Sequence, residues 1–277
     1  MFVAEPPYSV LVNGSPTEVA LGGRARRFDL GGGRPFVNAA TGVSDIATLN
    51  AWNVGHDGRP ASILAGPQIT NAGVPGRVYK DKGRTVLTYV AGDQPVAGKC
   101  RSQLSSYPVP SRRRFLFDLS FQVGEDAAGR GWHMTPPRES PAVLWQMKAP
   151  GQIPSMAIGV DTDPGAPDRL RLFFSRKGGH QVNPVKLSES VSILPNQPVR
   201  LLMDVFLDER DIPSGGRGYW RAWVNGRLVV DTFGPTLSAA AKEPHQWYLA
   251  LYLYENSNPL PYSRTVLWGQ ARMLGAD

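Results

Sequence analysis

The clearest pattern along the chain is an alternation of apolar and polar residues with a period of two. Within residues 113–123 the apolar positions of this pattern are Phe115, Phe117, Leu119, Phe121 and Val123. A period of two places every second side chain on the same face of a β-strand. Nine other segments have a similar strand-like pattern: 84–90, 99–107, 142–148, 155–161, 169–176, 199–207, 219–231, 246–256 and 265–273. No segment between them sustains a helical period of useful length.

About ten strands that each have one apolar face must bury that face against a second sheet. The sequence therefore predicts an all-β sandwich of jelly-roll type, made of two curved antiparallel sheets. The Asn-Gly pair at 225–226 lies between two apolar runs, which is typical of a hairpin turn. With 277 residues, of which 42% are hydrophobic, the chain is long enough to bury a large core in one domain.

The first 35 residues have a different pattern. An Asn-Gly pair at 13–14 predicts an N-terminal hairpin. The strand-like runs on its two sides are 9–12 and 18–21. Glycine runs follow at 22–23 and 31–33, and such runs are typical of flexible linkers. We therefore predict a hairpin and linker over residues 1–35 and a sandwich domain over residues 36–277.

Three basic residues, Arg24, Arg26 and Arg27, lie between the glycine runs. They make residues 1–35 a candidate docking arm for a protein partner or a nucleic acid, although a solvated linker explains them more simply.

Charge and cysteine content narrow the function classes. The net charge of +7 favours an anionic partner, namely a nucleic acid, an acidic surface or an acidic polysaccharide. Nucleic acid is the least favoured of these, because the basic residues are spread along the chain and no nucleic-acid-binding motif is present. The single cysteine, Cys100, excludes an intramolecular disulfide and a cysteine-based zinc site.

The location of the protein is predicted from two absences in the sequence. No run approaches the roughly 20 apolar residues of a membrane span. The first residues lack the basic and apolar regions of a secretory signal. We favour an extracellular or virion location. The protein would then have to leave the cell by a route other than signal-peptide secretion, such as cell lysis.

Several catalytic and metal-binding motifs are absent. The chain has no Gly-x-Ser-x-Gly elbow, no P-loop and no His-Glu-x-x-His, and its four histidines have no ligand spacing. Asp161, Asp163 and Asp168 lie in a predicted Pro/Gly-rich loop without the fixed spacing of a calcium loop. We expect an ordinary acidic turn there, and neither a metal nor a cofactor.

The segment 246–256 has the most informative pattern. Its apolar positions are Trp247, Leu249, Leu251 and Leu253, which a period of two turns toward the core. The opposite positions are Gln246, Tyr248, Ala250, Tyr252, Tyr254 and Asn256. Tyrosine rings flanked by amides suit sugars, whose C–H faces stack on aromatic rings while their hydroxyls need hydrogen-bond partners. A sheet face covered by loops is an equally good interpretation of this strand alone.

Two further strands carry polar residues at alternate positions. Arg101 and Gln103 share one face of their segment, and Gln146 and Lys148 share one face of theirs, with Trp145 and Met147 turned to the core. We predict that these four residues join those of 246–256 on one concave sheet. We call the combined surface the tyrosine face.

The order of these motifs resembles that in the jelly-roll polysaccharide lyases, which include alginate, glucuronan and heparin lyases. The resemblance implies a concanavalin A-like β-sandwich. In the alginate branch the motifs are Arg-Ser/Thr-Glu-Leu/Val-Arg, Gln-Ile/Val-His and Tyr-Phe-Lys-Ala-Gly-Val/Ile-Tyr-Asn-Gln. The corresponding segments here are 101–105, 146–148 and 248–256. Segment 219–230, with its Asn-Gly turn, also looks like a strand pair of that family. The resemblance covers roughly residues 84–274.

The resemblance implies roles for individual residues. Tyr254 matches the general acid, often also the base, of these lyases, and Arg101 and Gln146 match residues that bind the uronate carboxylate. The chain departs from the family at Lys148, which replaces histidine, and at Gln103, which replaces glutamate. Further departures are Ser105 for arginine, Ala250 for lysine and Tyr252 for glycine.

Two functions remain open on the sequence. In the first, the protein is a lyase that cleaves an acidic polysaccharide by β-elimination, with Tyr254, Lys148, Gln146 and Arg101 in the active site. Gln103, Tyr248, Tyr252, Gln246 and Asn256 would then bind substrate. In the second, it is a non-catalytic carbohydrate-binding or structural component of a virus particle or another surface assembly.

Overall fold

The computed structural model describes most of the chain from residue 77 onward, and three short strands before it. The described residues are 8–12, 15–19, 25–27, 77–81, 84–95, 99–105, 109, 111–124, 132, 142–163, 165–181, 184–187, 191–255 and 259–276. They form seventeen strands and a short 3₁₀ turn at Ile212–Ser214. The strands are β1 (Tyr8–Val12), β2 (Ser15–Val19), β3 (Ala25–Arg27), β4 (Val78–Asp81), β5 (Arg84–Tyr89), β6 (Lys99–Ser105), β7 (Arg113–Val123), β8 (Ala142–Lys148), β9 (Met156–Asp163), β10 (Ala166–Arg176), β11 (Val185–Lys186), β12 (Val191–Ile193), β13 (Pro198–Leu207), β14 (Tyr219–Val224), β15 (Arg227–Phe233), β16 (Gln246–Glu255) and β17 (Arg264–Ala276).

Two antiparallel sheets make up the sandwich. The first sheet has the order β11-β10-β9-β8-β16-β6, with β12 also paired to β10. The second has the order β15-β14-β13-β7-β17-β5-β4, with β3 also paired to β17. Strands distant in sequence are neighbours at the centre of each sheet, as in β8-β16, β16-β6, β13-β7 and β7-β17, which is expected for a jelly roll. The predicted fold class is confirmed.

The core lies between the two sheets and is rich in aromatic rings. Phe117 of the second sheet makes edge contacts with Trp145 and Trp247 of the first, at centroid distances of 5.4 and 5.7 Å. Trp145 also meets Trp220 of the second sheet at 6.2 Å. All four side chains are buried. Each edge-to-face pair contributes roughly 0.5–1.5 kcal/mol beyond the free energy of burying its surface area, so this cluster stabilises the packing of the two sheets.

The turn predicted at 225–226 is present. Asn225 and Gly226 have φ values of 49° and 82°, and they connect β14 to β15. Positive φ at both central positions is the requirement of a type I′ hairpin, which asparagine and glycine meet at low cost.

The predicted acidic loop at residues 161–168 is largely strand, so that expectation was wrong. β9 continues to Asp163 and β10 begins at Ala166. The pairing of these strands shifts register between Ala166 and Leu170, which accommodates the proline- and glycine-containing segment as a bulge. Among the described residues, no group of three or more potential ligands is placed to hold a metal ion.

The N-terminal strands differ in extent from the prediction. β1 and β2 pair with Val12 opposite Ser15, so the second strand begins three residues earlier than expected. β3, inside the predicted linker, pairs with Leu274–Ala276 at the end of β17. Part of the predicted arm therefore belongs to the second sheet. No helix within the described ranges has the length and hydropathy needed to cross a membrane.

Candidate functional site

The register of the first sheet brings the predicted site residues together. β16 lies between β8 and β6. On one side Gln246 is opposite Lys148 and Tyr248 is opposite Gln146; on the other side Ala250 is opposite Gln103 and Tyr252 is opposite Arg101. These residues share the face of the first sheet that is turned away from the core, which we call its outer face. The tyrosine face is therefore one continuous surface over β6, β16 and β8.

Two predicted residues lie outside this description. Asn256 and the side chain of Tyr254 are not among the described parts of the structure. The pairing of β16 with β6 shifts register between Tyr252 and Glu255, with one extra residue on β16. A bulge interrupts strict alternation, so the period of two alone does not assign Tyr254 to the face.

Cations lie against aromatic rings on the tyrosine face. The Lys148 Nζ is 5.6 Å from the centroid of the Tyr248 ring, and the Arg101 guanidinium carbon is 5.7 Å from that of Tyr252. Both distances are within the range of cation–π attraction. The Tyr248 hydroxyl donates a hydrogen bond of 3.0 Å to Gln246 Oε1. These contacts fix the positions of the polar groups at the centre of the face.

Exposure varies strongly across the face. Tyr248, Gln103 and Gln146 are each 1% exposed and Arg101 is 6% exposed. Lys148, Gln246 and Tyr252 are partly exposed. The centre of the face is therefore buried. Its accessible parts are the end formed by Lys148 and Gln246, and Tyr252.

Burial determines the protonation of Tyr248. Desolvation raises the pKa of its hydroxyl far above the usual value near 10, and the nearby Arg101 charge opposes that change only in part. The hydroxyl is therefore neutral at physiological pH. Tyr248 serves as a hydrogen-bond donor and not as a proton acceptor.

The outer face continues onto β9, β10 and β11 with residues that the sequence reasoning missed. The ring of Phe173 lies 4.9 Å from the Arg171 guanidinium carbon and 5.1 Å from the Lys186 Nζ. Between Phe173 and the tyrosine face, β9 presents the small residues Ala157 and Gly159, and the next position on the same face is Asp161, which pairs with Arg171 at 3.5 Å. The surface thus has a low strip with a cation and a ring on each side. The alternation of segment 169–176 could have identified Phe173. Its apolar positions Leu170, Leu172 and Phe174 are all buried, so the residues between them, including Phe173, lie on the outer face.

A buried serine–histidine cluster lies beside the tyrosine face. Nε2 of His245 is 3.2 Å from the Ser155 hydroxyl, and the Ser238 N–H points at both groups, at 3.3 and 3.0 Å. Because Nε2 accepts the backbone N–H, the Ser155 hydroxyl donates to it and the imidazole is neutral. Ser155 is fully buried, so this pair supports the structure and is not an exposed nucleophile.

Comparison with known proteins gives similarity at the level of the fold. No protein-family model matches the chain, and no curated protein matches its sequence. The alginate lyase A1-II′, a member of polysaccharide lyase family 7, is 10% identical, with a TM-score of 0.51 over 74% of this chain and 85% of that one. The alginate lyase AlyC3 is 9% identical, with a TM-score of 0.51 over 74% of this chain and 80% of that one.

A further solved structure has a similar extent of overlap. An endo-β-1,4-glucuronan lyase from the fungus Trichoderma reesei is 16% identical, with a TM-score of 0.49 over 73% of this chain and 84% of that one. On the two alginate lyase structures above, together with the sheet order, the chain has the jelly-roll β-sandwich fold of the polysaccharide lyases.

Proposed function

We propose that the chain binds an acidic, uronate-containing polysaccharide on the outer face of its first sheet. The observation that carries this proposal is the repeated pairing of cations with aromatic rings across the face. Lys148 lies against Tyr248, and Arg171 and Lys186 lie against Phe173 on the far side of the low strip. The fold relatives include two alginate lyases, which supports the same class of ligand.

The chemistry of a uronate chain matches such a surface. Each sugar ring presents C–H groups that pack on an aromatic ring, and each carboxylate needs a cation or an N–H donor. Lys148 and Gln246, which are opposite each other at the accessible end of the face, supply these donors. The small side chains of Ala157 and Gly159 leave room for sugar rings above β9.

Cleavage by β-elimination is the enzymatic form of the proposal. A base removes the proton from the carbon next to the carboxylate, the glycosidic C–O bond breaks, and an acid protonates the leaving oxygen. Negative charge grows on the carboxylate in the transition state, so preorganised cations and amides stabilise it. Lys148, at the accessible end of the face, takes that part. Gln146 and Arg101, which are buried, are assigned to it from the family resemblance alone, as is Tyr254 as acid and base. Gln103, Tyr252 and Asn256 are assigned to substrate binding.

Binding without cleavage is the second form, since Lys148 replaces the histidine of the family motif. A solvated lysine is protonated at neutral pH and is a poor base. The virus-particle alternative receives no support from the fold relatives. The two forms differ in one measurement, namely the ultraviolet absorbance of the unsaturated product when the protein is incubated with alginate, glucuronan and heparin.

Tyr254→Phe is expected to remove that absorbance signal while leaving polysaccharide affinity within about twofold, because only the proton-transferring hydroxyl is lost. The measurement pairs initial rates with binding by isothermal titration calorimetry. If the wild-type protein binds the three polymers but gives no absorbance signal with any of them, only binding without cleavage remains as the function. Unchanged rates in Tyr254→Phe would remove this residue from the mechanism.

Lys148→Ala is expected to weaken binding of a uronate polymer about fivefold, which corresponds to roughly 1 kcal/mol for a partly exposed charge pair. The loss is expected to shrink as salt is raised, because the interaction is screened. Titrations at low and high salt provide the measurement. Arg227→Ala is the matched control, since it removes one exposed positive charge at the hairpin of the second sheet. Equal losses in both variants would mean that only net charge matters.

A further inference from the structure

The second sheet carries a pocket on the opposite side of the sandwich from the tyrosine face. Its volume is about 760 Å³, which is within the range of ligand pockets. Four arginines line it: Arg112, Arg113, Arg114 and Arg217. No acidic residue is among its lining residues in the described part of the chain. The lining residues of the pocket thus include several guanidinium groups, and the proposed function makes no use of them.

Three aromatic rings form the floor of the pocket. The Tyr219 ring lies between Phe206 and Phe233, with centroid distances of 6.2 and 6.3 Å. Phe233 is 61% exposed, which is unusual for a large apolar side chain on a strand. The Arg217 guanidinium carbon lies 4.9 Å from the centroid of Phe206. The pocket therefore presents apolar ring surface next to cationic N–H donors.

The lining arginines differ in the charges that surround them. Arg114 is held by both carboxylate oxygens of Asp204 at 2.8 Å, and Arg112 pairs with Glu209 at 2.8 Å. Among the described residues no acidic side chain pairs with the guanidinium of Arg217, which is exposed. A guanidinium with its fork available binds a planar oxyanion with two parallel hydrogen bonds. Arg217 is thus the cation best placed to receive a carboxylate.

The rim that carries Arg217 is held in place before any ligand arrives. The buried carboxylate of Asp208 accepts the Arg217 backbone N–H at 2.9 Å and the Arg210 backbone N–H at 3.0 Å. Gly216 packs so tightly that an added Cβ would lie 2.1 Å from the Arg210 carbonyl oxygen. A preorganised rim loses little conformational entropy when a ligand binds.

We infer that this pocket is a second binding site for the acidic polysaccharide, with a uronate carboxylate on Arg217 and a sugar ring on Phe233. The identity of the polymer rests on the proposed function, whereas the pocket itself rests on the contacts above. Because the two sites are on opposite faces, one molecule engages two polymer chains at once. Such divalent attachment raises the apparent affinity for a gel without any new contact.

A nucleic acid is less well matched to the pocket than a sugar. A base is held best between two parallel ring faces, whereas a sugar ring needs one exposed ring, such as that of Phe233, which is 61% exposed. The rings are inclined to their neighbours by 35° and 55° and form no parallel slot for a base.

The test is the stoichiometry of a short uronate oligosaccharide, too short to reach both faces, measured by isothermal titration calorimetry. Wild-type protein is expected to bind two molecules per chain. Arg217→Ala and Phe233→Ala are each expected to weaken the same one of these sites about tenfold, the first through loss of a charge-assisted hydrogen bond and the second through loss of the apolar ring contact. Arg227→Ala, at the other end of β15 from Phe233, is the matched control and is expected to keep both sites. The replaced side chains are exposed, so unchanged thermal unfolding checks that the fold is intact.

Each outcome separates the pocket from the tyrosine face. One site that is lost in Lys148→Ala but kept in Arg217→Ala and Phe233→Ala overturns this inference and leaves the proposed function standing. One site that is lost in Arg217→Ala and Phe233→Ala but kept in Lys148→Ala supports the inference and overturns the proposed function. Oligothymidylate that binds through Arg217 and Phe233, where the uronate does not, overturns the sugar assignment. No binding of the oligosaccharide overturns both proposals.

Discussion

Lowering the pH from 6.5 to 4 is expected to reduce the free energy of unfolding by about 3 kcal/mol through His245 alone. Burial lowers the pKa of this imidazole from 6.5 to about 4, and the nearby Glu209 charge opposes the change only weakly. The Ser238 N–H, which points at Nε2 from 3.3 Å, is compatible with a neutral imidazole only.

The direction of this effect follows from the two states. Above pH 6.5 neither state protonates His245, and its full contribution to stability is present. Between pH 6.5 and 4 His245 is protonated in the unfolded chain but remains neutral in the folded chain, so stability falls as the pH falls. Below pH 4 both states are protonated and the contribution stays constant. Urea unfolding at half-unit pH steps measures the slope.

His245→Gln isolates this contribution. Its side-chain amide oxygen can accept the Ser238 N–H without titrating. The loss of unfolding free energy between pH 6.5 and 4 is therefore expected to be about 3 kcal/mol smaller than in the wild-type protein. His180→Gln is the matched control, because it makes the same replacement at an exposed histidine. A wild-type slope retained in His245→Gln would show that other groups cause the pH dependence.

The sandwich was predictable because its signal is local. Alternation in β7 and β16 gave the core-facing residues correctly, since every second side chain of a strand must enter the same environment. The register that places Gln246 opposite Lys148 and Tyr252 opposite Arg101 also agrees with the sequence prediction of a shared face. Exposure was not predictable, because alternation within β16 assigns Tyr248 to a face but does not say how far that face is shielded from solvent, and Tyr248 is 1% exposed.

Three other features depend on contacts between distant segments. The arginine-lined pocket includes Arg113 and Arg217, which are about a hundred residues apart in sequence. No short sequence motif predicts that they line the same pocket. The buried cluster joins Ser155 to His245 in the same way. The alternation in β10 was visible in the sequence, but the importance of Phe173 depends on its neighbour Lys186 from another strand. Sequence patterns identify faces of strands, whereas sites also require the topology.

Asp208→Ala is expected to destabilise the protein by about 3 kcal/mol, because it removes the only buried acceptor described for two backbone N–H groups and the Arg210 guanidinium. Burial alone would raise the pKa of this carboxyl, but the hydrogen bonds from Arg210 and Arg217 outweigh it and lower the pKa to about 2. The stabilisation is therefore present above pH 3.8 and is lost as the pH falls toward 2. Urea unfolding at neutral pH measures the loss.

Asp231→Ala is the matched control for Asp208→Ala, because Asp231 also pairs with an arginine, Arg221, at 3.0 Å. Those two side chains are 44% and 40% exposed, and removal of such a pair is expected to cost less than about 1 kcal/mol. Asp208→Ala is also expected to weaken the pocket site as Arg217→Ala does, because the rim loses the acceptor that holds the Arg217 backbone. If both aspartate variants lost equal stability, the buried carboxylate would contribute no more than an exposed one. The rim of the pocket would then need another support.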